Sequence, residues 1–195
     1  MRRELVLILV VLPIVISLPA FGQQTASKWN DEGVGLLGQG RYDEAIQDFN
    51  IALGLNSSYV AAWYNEGIAL YGLGRYDDAI KAYNRSIDLT PGFAEAWTNK
   101  GNALNALGRY AEAFQACDKA IKLNPDLVEA WTNKGNALNY LGRYAEAIQA
   151  YDKALELNSS YAAAWYNKGI ALNELGRTAE ANAAYTKAKE LGYTG

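Results

Sequence analysis

The chain contains no histidine and one cysteine, Cys117, so the groups most used as general bases, nucleophile partners and zinc or haem ligands are absent or solitary. Cys117 stands where other copies of a recurring pattern carry an aromatic, which marks it as a small buried hydrophobe rather than a reactive thiol. The adjacent carboxylates Asp77 and Asp78 sit where a helix begins, and the Gly33-x-Gly35 spacing lies inside an expected helix with no strand before it, so neither builds an active site or a phosphate loop. No cofactor, no metal and no enzymatic activity are expected. What recurs instead is the carboxamide. Asn65, Asn99, Asn133 and Asn167 stand 34 residues apart, and Asn102 and Asn136 follow two of them by three residues. An amide carries both donor and acceptor, so a column of amides suits the N–H and C=O groups of a bound peptide. Tyr64, Tyr166, Tyr71 and Tyr140 flank the column as anchors for apolar side chains or, on a second reading, as packing groups between units.

The elements that hold these residues follow from a period. Trp29, Trp63, Trp97, Trp131 and Trp165 are spaced by 34, each followed by Gly four residues later and again eleven residues later. Tandem copies with a period between about 20 and 50 residues indicate a solenoid. Counting each unit from the third residue before its Trp gives units 26–59, 60–93, 94–127, 128–161 and 162–195. Positions 4, 8 and 11 carry Trp, Gly and Leu, a spacing that shares one helical face and predicts that this face is buried. A mid-helix Gly costs about 1 kcal/mol against Ala, so its recurrence at position 8 predicts an approach too close for a Cβ. A second helix supplies the partner: Ala45, Ala79, Ala113, Ala147 and Ala181 at position 20, an aromatic at position 24 in four units, and a small residue at position 27 form its apolar stripe. Gly-Arg at positions 15 and 16 separates the helices, and Asp or Glu opens the second one.

The period, the Trp, both glycines, the Ala and the aromatic resemble the tetratricopeptide repeat, a helix-turn-helix of 34 residues. The resemblance spans about 26–191. It implies an all-α, right-handed α-α superhelical solenoid of five repeats whose first helices line a concave groove. Two features depart from the family pattern. Position 7 holds Glu32, Glu66, Lys100, Lys134 and Lys168 in place of a buried Leu, which predicts a half-exposed edge with Lys stems over apolar surface. The late Pro is replaced by Ser57, Ser159 and Tyr193. The position 6 column resembles the asparagine ladder in the repeat domain of O-linked N-acetylglucosamine transferases. The family's clamp for a C-terminal carboxylate is absent, because Asn30, Glu95 and Asn99 occupy its places.

Residues 1–22 combine a basic start, an apolar run from Leu5 to Ile16, and small residues at Ala20-Phe21-Gly22, the outline of a secretory signal cleaved after Gly22. An uncleaved membrane anchor over residues 5–21 is the other reading, and the only membrane association expected. Removal of Arg2, Arg3 and Glu4 moves the net charge from −3 to −4, and the cations are interleaved with acids, so no nucleic-acid face is expected. In the last unit Thr178, Asn182 and Lys189 replace apolar residues, as suits a polar capping helix. The sequence therefore indicates an exported, non-enzymatic scaffold that binds an extended segment of another protein. A self-assembling structural solenoid and an accessory subunit of an extracytoplasmic complex are the alternatives.

Overall fold

A computed structural model of the chain describes residues 25–194. The leader over residues 1–22 lies outside the described residues. Ten helices follow one another there, in five pairs: α1 Ala26–Gly38, α2 Tyr42–Leu55, α3 Val60–Gly72, α4 Tyr76–Leu89, α5 Ala94–Ala106, α6 Tyr110–Leu123, α7 Val128–Tyr140, α8 Tyr144–Leu157, α9 Ala162–Glu174 and α10 Thr178–Glu190. No strand occurs among the described residues.

Each first helix ends the same way. Gly40, Gly74, Gly108, Gly142 and Gly176 take φ of 72° to 74°, a left-handed conformation that glycine adopts without strain. The next N–H reaches back to the helix, as Arg41 does to the Leu36 carbonyl at 3.0 Å, which closes the helix end. That Arg then clasps the acid three residues on. Arg109 Nε and Nη2 donate to the two oxygens of Glu112 at 2.8 and 2.7 Å, the same fork recurs in units one, four and five, and in unit two both Arg75 nitrogens donate to Asp78 Oδ2. The Gly-Arg stop and the acidic start of the second helix are thus one device.

Within a unit, the bare position 8 glycine lies against position 24 of its own second helix. A Cβ on Gly33 would stand 2.6 Å from the Phe49 ring, and one on Gly67 would stand 2.5 Å from the Tyr83 ring. Position 20 alanines are fully buried in every unit, as are Phe49, Tyr83, Cys117 and Tyr151. Between units, the tryptophan tightens the turn. The indoles of Trp63, Trp97, Trp131 and Trp165 donate to the carbonyls of Ser57, Pro91, Pro125 and Ser159, at 2.8 to 3.2 Å. A serine carbonyl serves as well as a proline one, so losing the late Pro does not loosen these turns.

Two expectations need correction. The tryptophans are half-buried rather than central, because their indoles must reach the turn carbonyl at the edge of the unit. Position 8 is buried in every unit and position 11 in units two to five, as expected, and positions 3 and 10 join them in place of the Trp. Ala62, Ala96, Ala130 and Ala164, with Ala69, Ala103, Ala137 and Ala171, are all fully buried. Their place in the first unit is taken by Lys28 and Gly35, both exposed, because no unit precedes α1 among the described residues. Position 7 is half-exposed for Lys100, Lys134 and Lys168, whose ammoniums lie 4.9, 5.5 and 5.3 Å from the indoles of their own helices. Glu66 breaks that rule and is 9 % exposed. At the other end, Thr178, Asn182 and Lys189 are exposed and α10 packs on α9 alone, as a closing helix should.

Neighbouring first helices approach each other, α1 with α3 and so on to α9, whereas the backbones of neighbouring second helices lie farther apart. The array therefore curves with its first helices on the inner wall and its second helices splayed outward.

Candidate functional site

The inner wall carries the asparagine column. Taking about 100° per residue, positions 6 and 9 point roughly opposite the Trp, away from the second helix. Asn65, Asn99, Asn133, Asn167, Asn102 and Asn136 are all half-buried there. They bond across the units rather than standing alone in solvent. Asn65 Nδ2 donates to Asn30 Oδ1 at 3.0 Å, and Asn99 Nδ2 donates to the Tyr64 hydroxyl at 3.0 Å. Asn167 Nδ2 donates to Asn136 Oδ1 at 2.9 Å, and the Tyr151 hydroxyl donates to the same oxygen at 2.9 Å. Asn133 contributes its backbone carbonyl, which accepts from Asn105 Nδ2 at 2.9 Å. A carboxamide has two N–H groups and an oxygen with two lone pairs, so one bond leaves hydrogen-bonding capacity on each amide.

The tyrosines divide into two kinds. Tyr64 packs against Phe93 and Tyr83, with centroids 4.8 and 6.1 Å away, and Tyr71 meets Tyr76 at 5.1 Å. Tyr166 stacks on Tyr193 at 4.5 Å and leans on Tyr185. These three are half-buried packing groups with one accessible edge. Tyr140 is different. It lies parallel to Tyr110, at 4.5 Å and 7°, and keeps 66 % of its surface exposed. Burial pushes the Tyr64 hydroxyl above the usual phenol range, and the charge of Glu95 adds to this while the Asn99 bond opposes it. It stays a neutral hydrogen-bonding group at physiological pH.

Position 12 belongs to the same wall and went unremarked in the sequence. Asn105, Asn139 and Asn173 recur there at the common period. The side-chain oxygens of Asn105 and Asn139 are buried and accept no hydrogen bond. Such oxygens call for a donor.

Nothing in the asparagine column is an acid or a base. Among the described residues no group of three or more Cys, Asp or Glu is placed to hold a metal ion, and no helix is long and apolar enough to cross a membrane.

Family models described as tetratricopeptide repeat match residues 30–92 and 64–128 with one form, 128–161 with a second and 150–181 with a third. Among solved structures, a crystal structure of MamA is 26 % identical, with a TM-score of 0.72, covering 82 % of this chain and 93 % of that one. MamA from Desulfovibrio magneticus RS-1 is 22 % identical with a TM-score of 0.76, covering 85 % and 94 %. YrrB, described as a TPR protein with an unusual peptide-binding site, is 22 % identical with a TM-score of 0.68, covering 86 % of each chain. At 22 % these last two likenesses show the fold alone. No curated protein matches the sequence.

Proposed function

The chain belongs to the tetratricopeptide repeat family, and from that membership we propose that it is a non-enzymatic scaffold binding an extended polypeptide segment along its inner wall. One observation carries this: an unbroken column of asparagines on the face that curvature turns inward, each with hydrogen-bonding capacity left over. Neighbouring first helices lie about 10 Å apart, and an extended chain rises about 3.3 Å per residue. One asparagine then meets every third residue of the ligand. Contacts to backbone amides make the groove tolerant of sequence. Val34, Ile68 and Ile170 at position 9, with the exposed Tyr140, supply limited preference for apolar side chains.

Each lost bond costs about 0.5–1.5 kcal/mol. Asn99→Ala combined with Asn133→Ala therefore weakens binding by roughly tenfold or more, with the helical signal unchanged. Calorimetry with peptides selected from a random display library makes the measurement, and undiminished affinity in the double variant would return these asparagines to a purely solvating role. Methylating the backbone nitrogen of every third ligand residue should weaken binding comparably.

We also propose that the scaffold acts outside the cytoplasm, on the strength of the apolar run and small-x-small site within residues 1–22. Intact mass of protein from its native host should give an N-terminus at Gln23. A membrane-bound chain still starting at Met1 would favour the anchor. End-to-end self-assembly is disfavoured by the polar outer face of α10.

A further inference from the structure

Where the second helices splay apart, each of units two to five has a cleft on its outer side. Positions 4, 7 and 11 of the first helix form its floor, and positions 19, 23 and 26 of the second helix form a wall. In unit four the corner of this cleft is filled by the protein's own ammonium. Lys134 Nζ sits 2.9 Å from Asp118 Oδ1 of the preceding second helix, between the rings of Trp131 at 5.5 Å and Phe114 at 5.2 Å. Unit five repeats it, with Lys168 Nζ 2.6 Å from Asp152 and 5.3 Å from the Trp165 ring. A carboxylate, an indole face and a snug apolar stem make a socket for an ammonium.

Unit two keeps the indole and the apolar walls but carries neither the lysine nor the aspartate. Its cleft, of about 560 Å³, is lined by Trp63, Ile46, Leu70 and Asn50, with Glu66 in place of the lysine. Asn50 stands where Asp118 and Asp152 stand, and its Nδ2 donates to the Ile46 carbonyl at 2.9 Å, which leaves its side-chain oxygen as an acceptor. Glu66 is nine-tenths buried, and its Oε2 accepts no hydrogen bond. Three cations also line the cleft, and Arg75 acts on the Glu66 carboxyl through space without a hydrogen bond to its Oε2. Arg75 and Lys81 both bond Asp78, at 2.9 and 2.8 Å, and Arg85 lies 5.8 Å from the Trp63 ring. A buried carboxylate oxygen without a hydrogen-bond donor is costly, and a donor cation relieves the cost.

We propose that this cleft is a binding site for a primary alkylammonium group, supplied by a lysine side chain of a partner polypeptide. Glu66 is its counter-ion, the Asn50 carbonyl oxygen accepts a second ammonium hydrogen, and the methylenes lie along Trp63, Ile46 and Leu70. The site lies about 100° around α3 from the asparagine column, so both surfaces can be occupied at once.

The test is an NMR titration of the full chain, following the Trp63 indole N–H, assigned through Trp63→Phe. The probes are Nα-acetyl-lysine methylamide, its norleucine analogue and cadaverine. The lysine derivative should give a saturable shift, and the norleucine analogue should give none. Glu66→Gln, which keeps the shape, should weaken the titration about tenfold or more. Glu66→Lys combined with Asn50→Asp rebuilds the internal pair of units four and five and should abolish binding in a folded chain. No shift in the parent, equal shifts with norleucine, or an unchanged titration in Glu66→Gln would overturn the site. Tighter binding of cadaverine than of the lysine derivative would overturn the polypeptide source.

Discussion

Replacing Gly135 with Ala ought to stabilise α7 on propensity alone, by about 1 kcal/mol. The structure reverses the sign. A Cβ there falls on Cε1 of the Tyr151 ring, with Cδ1 at 2.7 Å and Cζ at 2.8 Å, whereas carbon atoms in contact prefer about 3.5–4.0 Å. The ring must retreat by about 1 Å, and it has nowhere to go. Tyr151 is fully buried, and its hydroxyl is held by Asn136 Oδ1 at 2.9 Å. Overpacking of this kind costs about 1–3 kcal/mol. Net of the propensity gain, Gly135→Ala loses up to about 2 kcal/mol, and Gly135→Val loses more. Gly35 is the control. It lies within α1 with nothing in reach of an added Cβ, so Gly35→Ala keeps the propensity gain. The two variants should differ by the overpacking cost. At about 2–4 °C of Tm per kcal/mol for a chain of this size, that is roughly 2–12 °C in a thermal melt followed by circular dichroism. Equal shifts in the two alanine variants would refute the idea that position 8 is glycine for want of room.

Two further outcomes follow from named contacts. Cys117 is fully buried and its thiol is pushed up to about 12 by burial, so it should resist iodoacetamide in the native chain and react on unfolding; stoichiometric labelling of native protein would contradict this. Hydrogen bonds from Lys122 and then Lys134 hold the Asp118 carboxyl below its ordinary range, so their contribution is present above the unfolded carboxylate value and is lost as pH falls through the lower folded value. Lys134→Met should shrink that acid-side loss, read as urea midpoints from pH of about 5 down to about 2, and an unchanged pH profile would discount the pair.

The parts of this fold legible in the sequence were those fixed inside one unit. The position 8 glycine, the position 20 alanine and the position 24 ring touch within a single helix pair, so their spacing alone reveals the contact. The parts that were not legible depend on a neighbour. Positions 3 and 10 are buried by the preceding unit, and the clue was there in eight alanines at the common period and in Lys28 and Gly35 breaking it at the start. Glu32 and Glu66 share a residue type and a position, yet one is exposed and the other is buried, because among the described residues only Glu66 has the second helix of a preceding unit beside it. The amide column was visible as composition. Its bonds from one unit to the next were not, since they depend on how far each helix pair is rotated against the last.

Each unit is joined to the next chiefly by its second helix, packed on the following first helix, while neighbouring second helices stand apart. The distance from Asn99 to Asn133 is therefore set by the angle between units three and four. On the proposed reading, a segment bound along the column and the angle between units constrain each other. Anything wedged between the outer helices, where Glu66 lies, would be felt on the inner wall as a change in spacing.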